Sequence, residues 1–226
     1  MLPLKNNPIL TSYQTDILTR FFASPLTANF FLTGGTALAA FYFAHRESRD
    51  PDLFCIDPFD MEVIIDHIRD IATKLDTTVS AKVAAQTYQE IYLIHDASGW
   101  QQRIDIVREQ PKHFGEIVSA DGIRIDSLEN IGSNKILTLF GRIEPKDYID
   151  FYVIMQRGDL SFDDLFILAK QKDTGLNEFY LANSLAEVER ISVWSPMKIP
   201  FNPAEIVEYY QKLSRELFLR VKPIAS

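Results

Sequence analysis

The chain has 226 residues, and 23 Lys and Arg against 31 Asp and Glu leave a formal charge of −8. Its 46% apolar content supplies a core and excludes a disordered chain, while the acidic balance excludes a polybasic coat for non-specific binding of duplex DNA. The single cysteine, Cys55, excludes an internal disulfide or a cysteine-bound zinc cluster. Residues Met1 to Asn7 lack the charged-then-apolar layout of a signal peptide. The longest apolar run, Ala37 to Ala44, falls far short of the ~20 residues that span a bilayer. A cytoplasmic protein with no membrane partner is expected, in which Cys55 packs as a small hydrophobe.

Ile17, Leu18, Phe21 and Phe22 recur at helical spacing, so Thr11 to Ala23 is expected to be a helix. Asn29 to Thr33 is a short apolar run, expected as a buried strand that ends at Gly34-Gly35. Thr36 to His45 has small and apolar residues without breakers and is expected as a buried helix. A strand over Asp52 to Ile56 follows, then a helix from Pro58 to about Lys74, with proline in the first turn. Strands are expected over Thr78 to Ala85, Glu90 to His95 and Gln102 to Val107, the last two joined at Ser98-Gly99. In the last strand Ile104 and Ile106 share one face, and Arg103, Asp105 and Val107 the other.

Beyond Gly122 the pattern turns helical. A short strand over Ile123 to Ile125 precedes a helix capped by Asp126 or Ser127 and running to Arg142. Further helices are expected over Asp147 to Gln156, Ser161 to Lys170 and Ala204 to Val221, with 192 to 203 irregular. The fold class is thus α+β: residues 1–125 form a mixed α/β core and residues 126–226 a helical region.

The polar residues of the first half fall into an order with chemical meaning. Gly34-Gly35-Thr36 lies where a strand hands over to a helix, a place where backbone N–H groups can approach an anion. Asp50 and Asp52 follow, at the i, i+2 spacing that puts two strand side chains on one face. Two neighbouring carboxylates call for a cation, and hard oxygen donors suit Mg²⁺ together with substrate phosphates. Asp105, on a later strand, is a third candidate ligand. Each feature also has a plainer explanation: a Gly-Gly turn, a solvated Asp-x-Asp loop, an ion pair between Asp105 and Arg103. None of His67, His95 and His113 has a His-x3-His metal spacing.

The order strand, Gly-Gly, helix, Asp-x-Asp, strand with Asp resembles the nucleotidyltransferase superfamily typified by DNA polymerase beta. Phe31 to Leu38, followed by His45-Arg46-Glu47-Ser48-Arg49-Asp50-Pro51-Asp52-Leu53-Phe54, is similar to the AbiEii/AbiGii toxin family within it. So are Glu129-Asn130-Ile131 through Lys135, and Arg142 through Tyr152 with Lys146-Asp147 and Asp150. The resemblance implies a nucleotidyltransferase-type sheet with flanking helices. It implies that Gly34, Gly35 and Thr36 face the nucleotide phosphates, that Arg46 and Ser48 line the same pocket, and that Asp50 and Asp52, with Asp105, bind Mg²⁺. It implies that Lys135 contacts the triphosphate, that Asp147 is a late catalytic carboxylate, and that Asp150 lies one helical turn on in the nucleotide site. By their spacing alone, Asp147 is also a helix cap after Pro145 and Asp150 a helix partner of Lys146.

The implied activity is transfer of a nucleoside monophosphate from an NTP to an acceptor hydroxyl, RNA such as tRNA being favoured. The implied context is a toxin paired with an antitoxin protein or acting in phage defence. The chain departs from the family in two places. Pro51 stands inside the acidic pair, and the lysine-rich second motif is reduced to Lys82 and Lys112 with Arg103 and Arg108. A catalytically reduced nucleotide- or partner-binding module and an aminoglycoside-type transferase acting on a small molecule are the alternatives.

Overall fold

The computed structural model describes residues 1–85, 87–109 and 112–221, without the side chains of 82–84; Lys82 is thus outside the described side chains. Contacts divide the chain into two units, Met1–Ser127 and Leu128–Ser226.

The first unit is built on one seven-stranded sheet. Its strands are β1 (Phe30–Thr33), β2 (Asp52–Cys55), β3 (Thr78–Ala85), β4 (Tyr88–His95), β5 (Trp100–Arg108), β6 (Val118–Ala120) and β7 (Ile123–Ile125), in the order β3-β4-β5-β2-β1-β7-β6. The β1–β7 and β2–β5 pairs are parallel and the rest antiparallel. The alternation in the sequence decides the faces. Leu53, Ile91, Leu93, Ile104 and Ile106 are buried, and Leu53 stands beside Ile106. Their neighbours Asp52, Glu90, Arg103 and Asp105 therefore occupy the opposite face.

Three helices accompany the sheet: α1 (Ser12–Phe22), α2 (Gly34–Ala37) and α3 (Met61–Lys74). The capping box of Thr11 and Gln14 fixes the start of α1, each side chain taking the other's backbone N–H, and α1 buries Ile17, Leu18 and Phe21. Helix α2 begins two residues earlier than expected, at Gly34, and continues as a wider π-helical turn, Leu38–Phe43, that ends at Ala44 in the left-handed region, φ 49°. Helix α3 begins at Met61, not Pro58, because Asp60 is the cap: its carboxylate accepts the Glu62 N–H at 2.9 Å. Cys55 is buried as expected, and burial pushes its thiol pKa up.

The second unit is helical: α4 (Leu128–Gly141), α5 (Pro145–Arg157), α6 (Phe162–Lys172), α7 (Glu178–Ala186) and α8 (Pro203–Arg220). Helix α4 packs on α5, α6 and α7, and α8 on α5 and α7. Two tyrosines pin α5 in place. Tyr210 donates to the Tyr148 carbonyl at 2.7 Å, and Tyr148 to the Ser184 carbonyl at 2.9 Å. Helix α5 starts at Pro145 with Glu144 as the cap residue, so Asp147 lies inside its first turn. Among the described residues no helix is long and apolar enough to cross a membrane.

Candidate active site

The turn from β1 into α2 carries the tightest steric constraint in the first unit. Gly34 has φ +67°, a conformation that costs an L residue with a side chain roughly 1–2 kcal/mol. A Cβ added there would lie 2.3 Å from Oδ2 of Asp52, inside any permitted contact. Glycine at 34 is thus what allows the Asp52 carboxylate to lie against the backbone at the mouth of α2.

Strand register places this carboxylate in a row. Thr33 on β1 pairs with Asp52 on β2, Asp52 with Asp105 on β5, and Asp105 with Glu90 on β4. Partners in register point to one face, on strands ~4.8 Å apart. At the β7 end Asp126, fully buried, accepts the Thr33 hydroxyl at 2.5 Å and lies 2.8 Å from Nε2 of His113. At the other end Arg103 grips Asp105 with both arms, Nε to Oδ1 at 2.9 Å and Nη2 to Oδ2 at 2.7 Å. The same Nη2 reaches Glu90 Oε2 at 3.1 Å and the Tyr88 hydroxyl at 3.1 Å.

Asp50 lies just before β2 rather than on it. The strand starts at Asp52, and Pro51 stands immediately before it, where its missing N–H is tolerated and its carbonyl accepts the Asp105 N–H at 3.0 Å. The segment that holds Asp50 is tied down by side chains. Gln14 Nε2 donates to the carbonyls of Ser48 at 3.2 Å and Arg49 at 2.7 Å, and Gln102 Nε2 also donates to Arg49. The Tyr92 hydroxyl has a raised pKa, pushed up first by its hydrogen bond with Glu90 and more weakly by the charge of Asp50.

Thr36 is fully buried and donates its hydroxyl to the Asp50 carbonyl at 2.7 Å. With that proton used, the 2.8 Å contact between the Thr36 and Ser48 hydroxyls must be donated by Ser48. Arg46 is buried too and gives an N–H to the Glu47 carbonyl at 2.8 Å. The two Thr36 contacts fasten the Ser48–Asp50 segment to α2.

The second unit gathers Lys135, Asp147 and Asp150 into one ion cluster. Lys135 Nζ lies 2.8 Å from Asp147 Oδ1 and 2.7 Å from Asp150 Oδ2, and Arg142 Nε lies 2.7 Å from Asp147 Oδ2. Both carboxylates are completely buried. Burial alone would raise the Asp147 pKa, but the Lys135 ammonium and the Arg142 guanidinium outweigh it and hold the group below its ordinary value. The ammonium is shared between two carboxylates, and Asp150 pairs with Lys135 across helices rather than with the exposed Lys146.

The family model described as "Nucleotidyl transferase AbiEii toxin, Type IV TA system" matches residues 16–206. The chain belongs to the AbiEii nucleotidyltransferase toxins. Two solved structures share the fold. One, from H. pylori and assigned provisionally as a nucleotidyltransferase, superposes with a TM-score of 0.62 at 15% identity, covering 92% of each chain. The other, JHP933 from Helicobacter pylori, gives 0.59 at 15% identity over 97% of this chain and 94% of its own. No curated protein matches the chain.

As an AbiEii-family nucleotidyltransferase, the chain can be tested for the divalent ion such an enzyme implies. The donor set fits: Asp50 and Asp52 are hard oxygen donors, and the Gly34 cradle keeps Asp52 at the β1–α2 turn. Among the described residues, however, no three acidic, histidine or cysteine side chains converge in a cage. Both Asp105 oxygens are engaged by Arg103. The sequence reading missed Glu90, Gln14 and Gln102. Glu90 alternates with Tyr88 and Tyr92 along β4, a period-2 signal, but only the β4–β5 register shows that it opposes Asp105.

Proposed function

We propose that this toxin-family enzyme transfers a nucleoside monophosphate from an NTP to an acceptor hydroxyl on RNA, with Mg²⁺, at the acidic face of the first unit. The observation that carries this reading is Asp52, seated against Gly34 and in register with Asp105. Asp50 and Asp52 would hold Mg²⁺, which supplies positive charge against the phosphate oxygens. Gly34 provides the backbone approach for the phosphates. In the transfer the acceptor oxygen bonds to the α-phosphorus, the bond from that phosphorus to the bridging oxygen breaks, and pyrophosphate leaves with the electron pair. The acceptor proton passes to a carboxylate, for which Asp105 is the candidate. Lys135, Asp147 and Asp150 in this reading hold α5 to α4. The biological partner is an antitoxin protein and the compartment the cytoplasm.

The test is incubation of the purified protein with each α-labelled NTP, Mg²⁺ and total tRNA, beside Asp52→Ala. Label in RNA with the wild type alone is the expected result. Label in a small-molecule fraction instead moves the acceptor to that class. Label in neither fraction, or equal labelling by Asp52→Ala, overturns the reading.

A further inference from the structure

Arg103 is the cation of the acidic face whose geometry is most fully determined. It lies two residues before Asp105 on β5, so both side chains share that face. Its two bonds to Asp105 form a bidentate, charge-assisted pair. Guanidinium stays charged at any pH the protein survives, so loss of the arginine's own proton does not release Asp105. A competing cation does. The side chain of Arg103 is 34% exposed while that of Asp105 is 11% exposed, so the guanidinium is the outer partner, lying between the carboxylate and solvent.

A second position for the arginine is already built. Nη2 contacts Glu90 Oε2 and the Tyr88 hydroxyl while still bound to Asp105. Glu90 stands directly opposite Asp105 in the β4–β5 ladder. A small rotation therefore exchanges one carboxylate for its neighbour without leaving the guanidinium unpartnered, and the Tyr88 hydroxyl also lies 3.3 Å from Asp105 Oδ1.

We infer that Arg103 is a positioning residue, an internal counter-cation that holds Asp105 when no divalent ion is bound and shifts to Glu90 and Tyr88 when one arrives. The inference rests on the metal role proposed for Asp50 and Asp52. It makes metal loading a displacement: the ion must take Asp105 from an arginine. The pairing that separates Asp105 from the other acids is then the resting state of the site.

The test measures Mn²⁺ alone, by the electron paramagnetic resonance of the free ion, with no nucleotide present. Arg103→Gln should lower the half-saturating Mn²⁺ concentration about tenfold, equivalent to ~1.4 kcal/mol. Arg103→Lys, which keeps the charge but not the two-armed grip, should fall between. In an Asp105→Asn background the gain from Arg103→Gln should vanish, because there is no third carboxylate to release. Unchanged or weaker binding in Arg103→Gln, with binding still abolished by Asp52→Ala, overturns the inference and leaves the metal reading standing. A gain that survives in the Asp105→Asn background also overturns it, reducing Arg103 to a general charge effect. No Mn²⁺ bound by the wild type, Arg103→Gln or Arg103→Lys overturns both. If Arg103→Gln fails to fold, Arg103→Lys carries the comparison alone, with tightening expected and its absence decisive.

Discussion

Both units hold aspartates against a basic side chain, and the two clusters have opposite designs. In the helical unit Lys135 and Arg142 answer Asp147 and Asp150, two charges of each sign, with the carboxylates wholly buried. On the sheet, Asp52, Asp105 and Glu90 share a face with Arg103, with Asp50 just before β2, and Asp50 and Asp52 keep partial access to solvent. The first arrangement is closed: its charges are spent on one another, and its value is in joining α4 to α5. The second keeps two of its carboxylates within reach of solvent. An ion pair is therefore not itself a sign of chemistry. What distinguishes the candidate site is carboxylate oxygen that solvent can reach.

If the contrast is right, the two clusters break in different ways. The largest effect is expected from Asp52→Ala. Loss of a group that stabilises transfer by several kcal/mol should reduce turnover by about a thousandfold or more, while the melting curve stays near that of the wild type. A lowered melting temperature with transfer intact would instead make the sheet acids structural. Lys135→Met reverses the pattern. It leaves two buried carboxylates without their shared ammonium and should cost about 3–5 kcal/mol of stability in denaturant titration. Gly34→Ala is intermediate, costing roughly 1–2 kcal/mol from its left-handed backbone alone. Transfer should fall in this variant even after correction for unfolded protein, because the new Cβ displaces Asp52. The smallest effect is a pH dependence. Asp147 has a depressed folded pKa, so its contribution is present above its ordinary value of 3.8 and is lost as pH falls through the lower folded value. Asp147→Asn should flatten the acid limb of the stability profile, and an unchanged limb would show that Asp147 is not its source.

The Gly34–Asp52 part of the candidate site was legible because its logic is local. Gly34-Gly35 and Asp50-Pro51-Asp52 are bracketed by a buried strand, a small-residue helix and a second strand, all within about two dozen residues. Asp105 could be placed on the correct face from alternation alone. Its tie to Glu90 was not legible, because the partner of a strand residue depends on register, which one sequence does not reveal. The ion cluster around Lys135 was not legible for a different reason. A lysine on a helix is ordinarily solvated, and only the fold brings Asp147 and Asp150 over it. Among the elements, α7 was missed because Glu178–Ala186 is only nine residues long, despite the Asn177 side chain that caps it. Strand β6 is three residues long and mostly exposed, which leaves no apolar alternation to read.

The cross-strand row also fixes where the chain can grow. Asp96 to Gly99 is a turn at the tip of the β4–β5 hairpin, beyond the His95–Trp100 pair. Residues inserted there lengthen a loop and leave every acid at its station. One residue inserted between Trp100 and Asp105 would slide the strand by a single position, turning Asp105 into the core and Ile104 onto the polar face. Added length is thus best accommodated at the tip of this hairpin, and the spacing from Trp100 to Asp105 is what keeps this carboxylate in the cross-strand row.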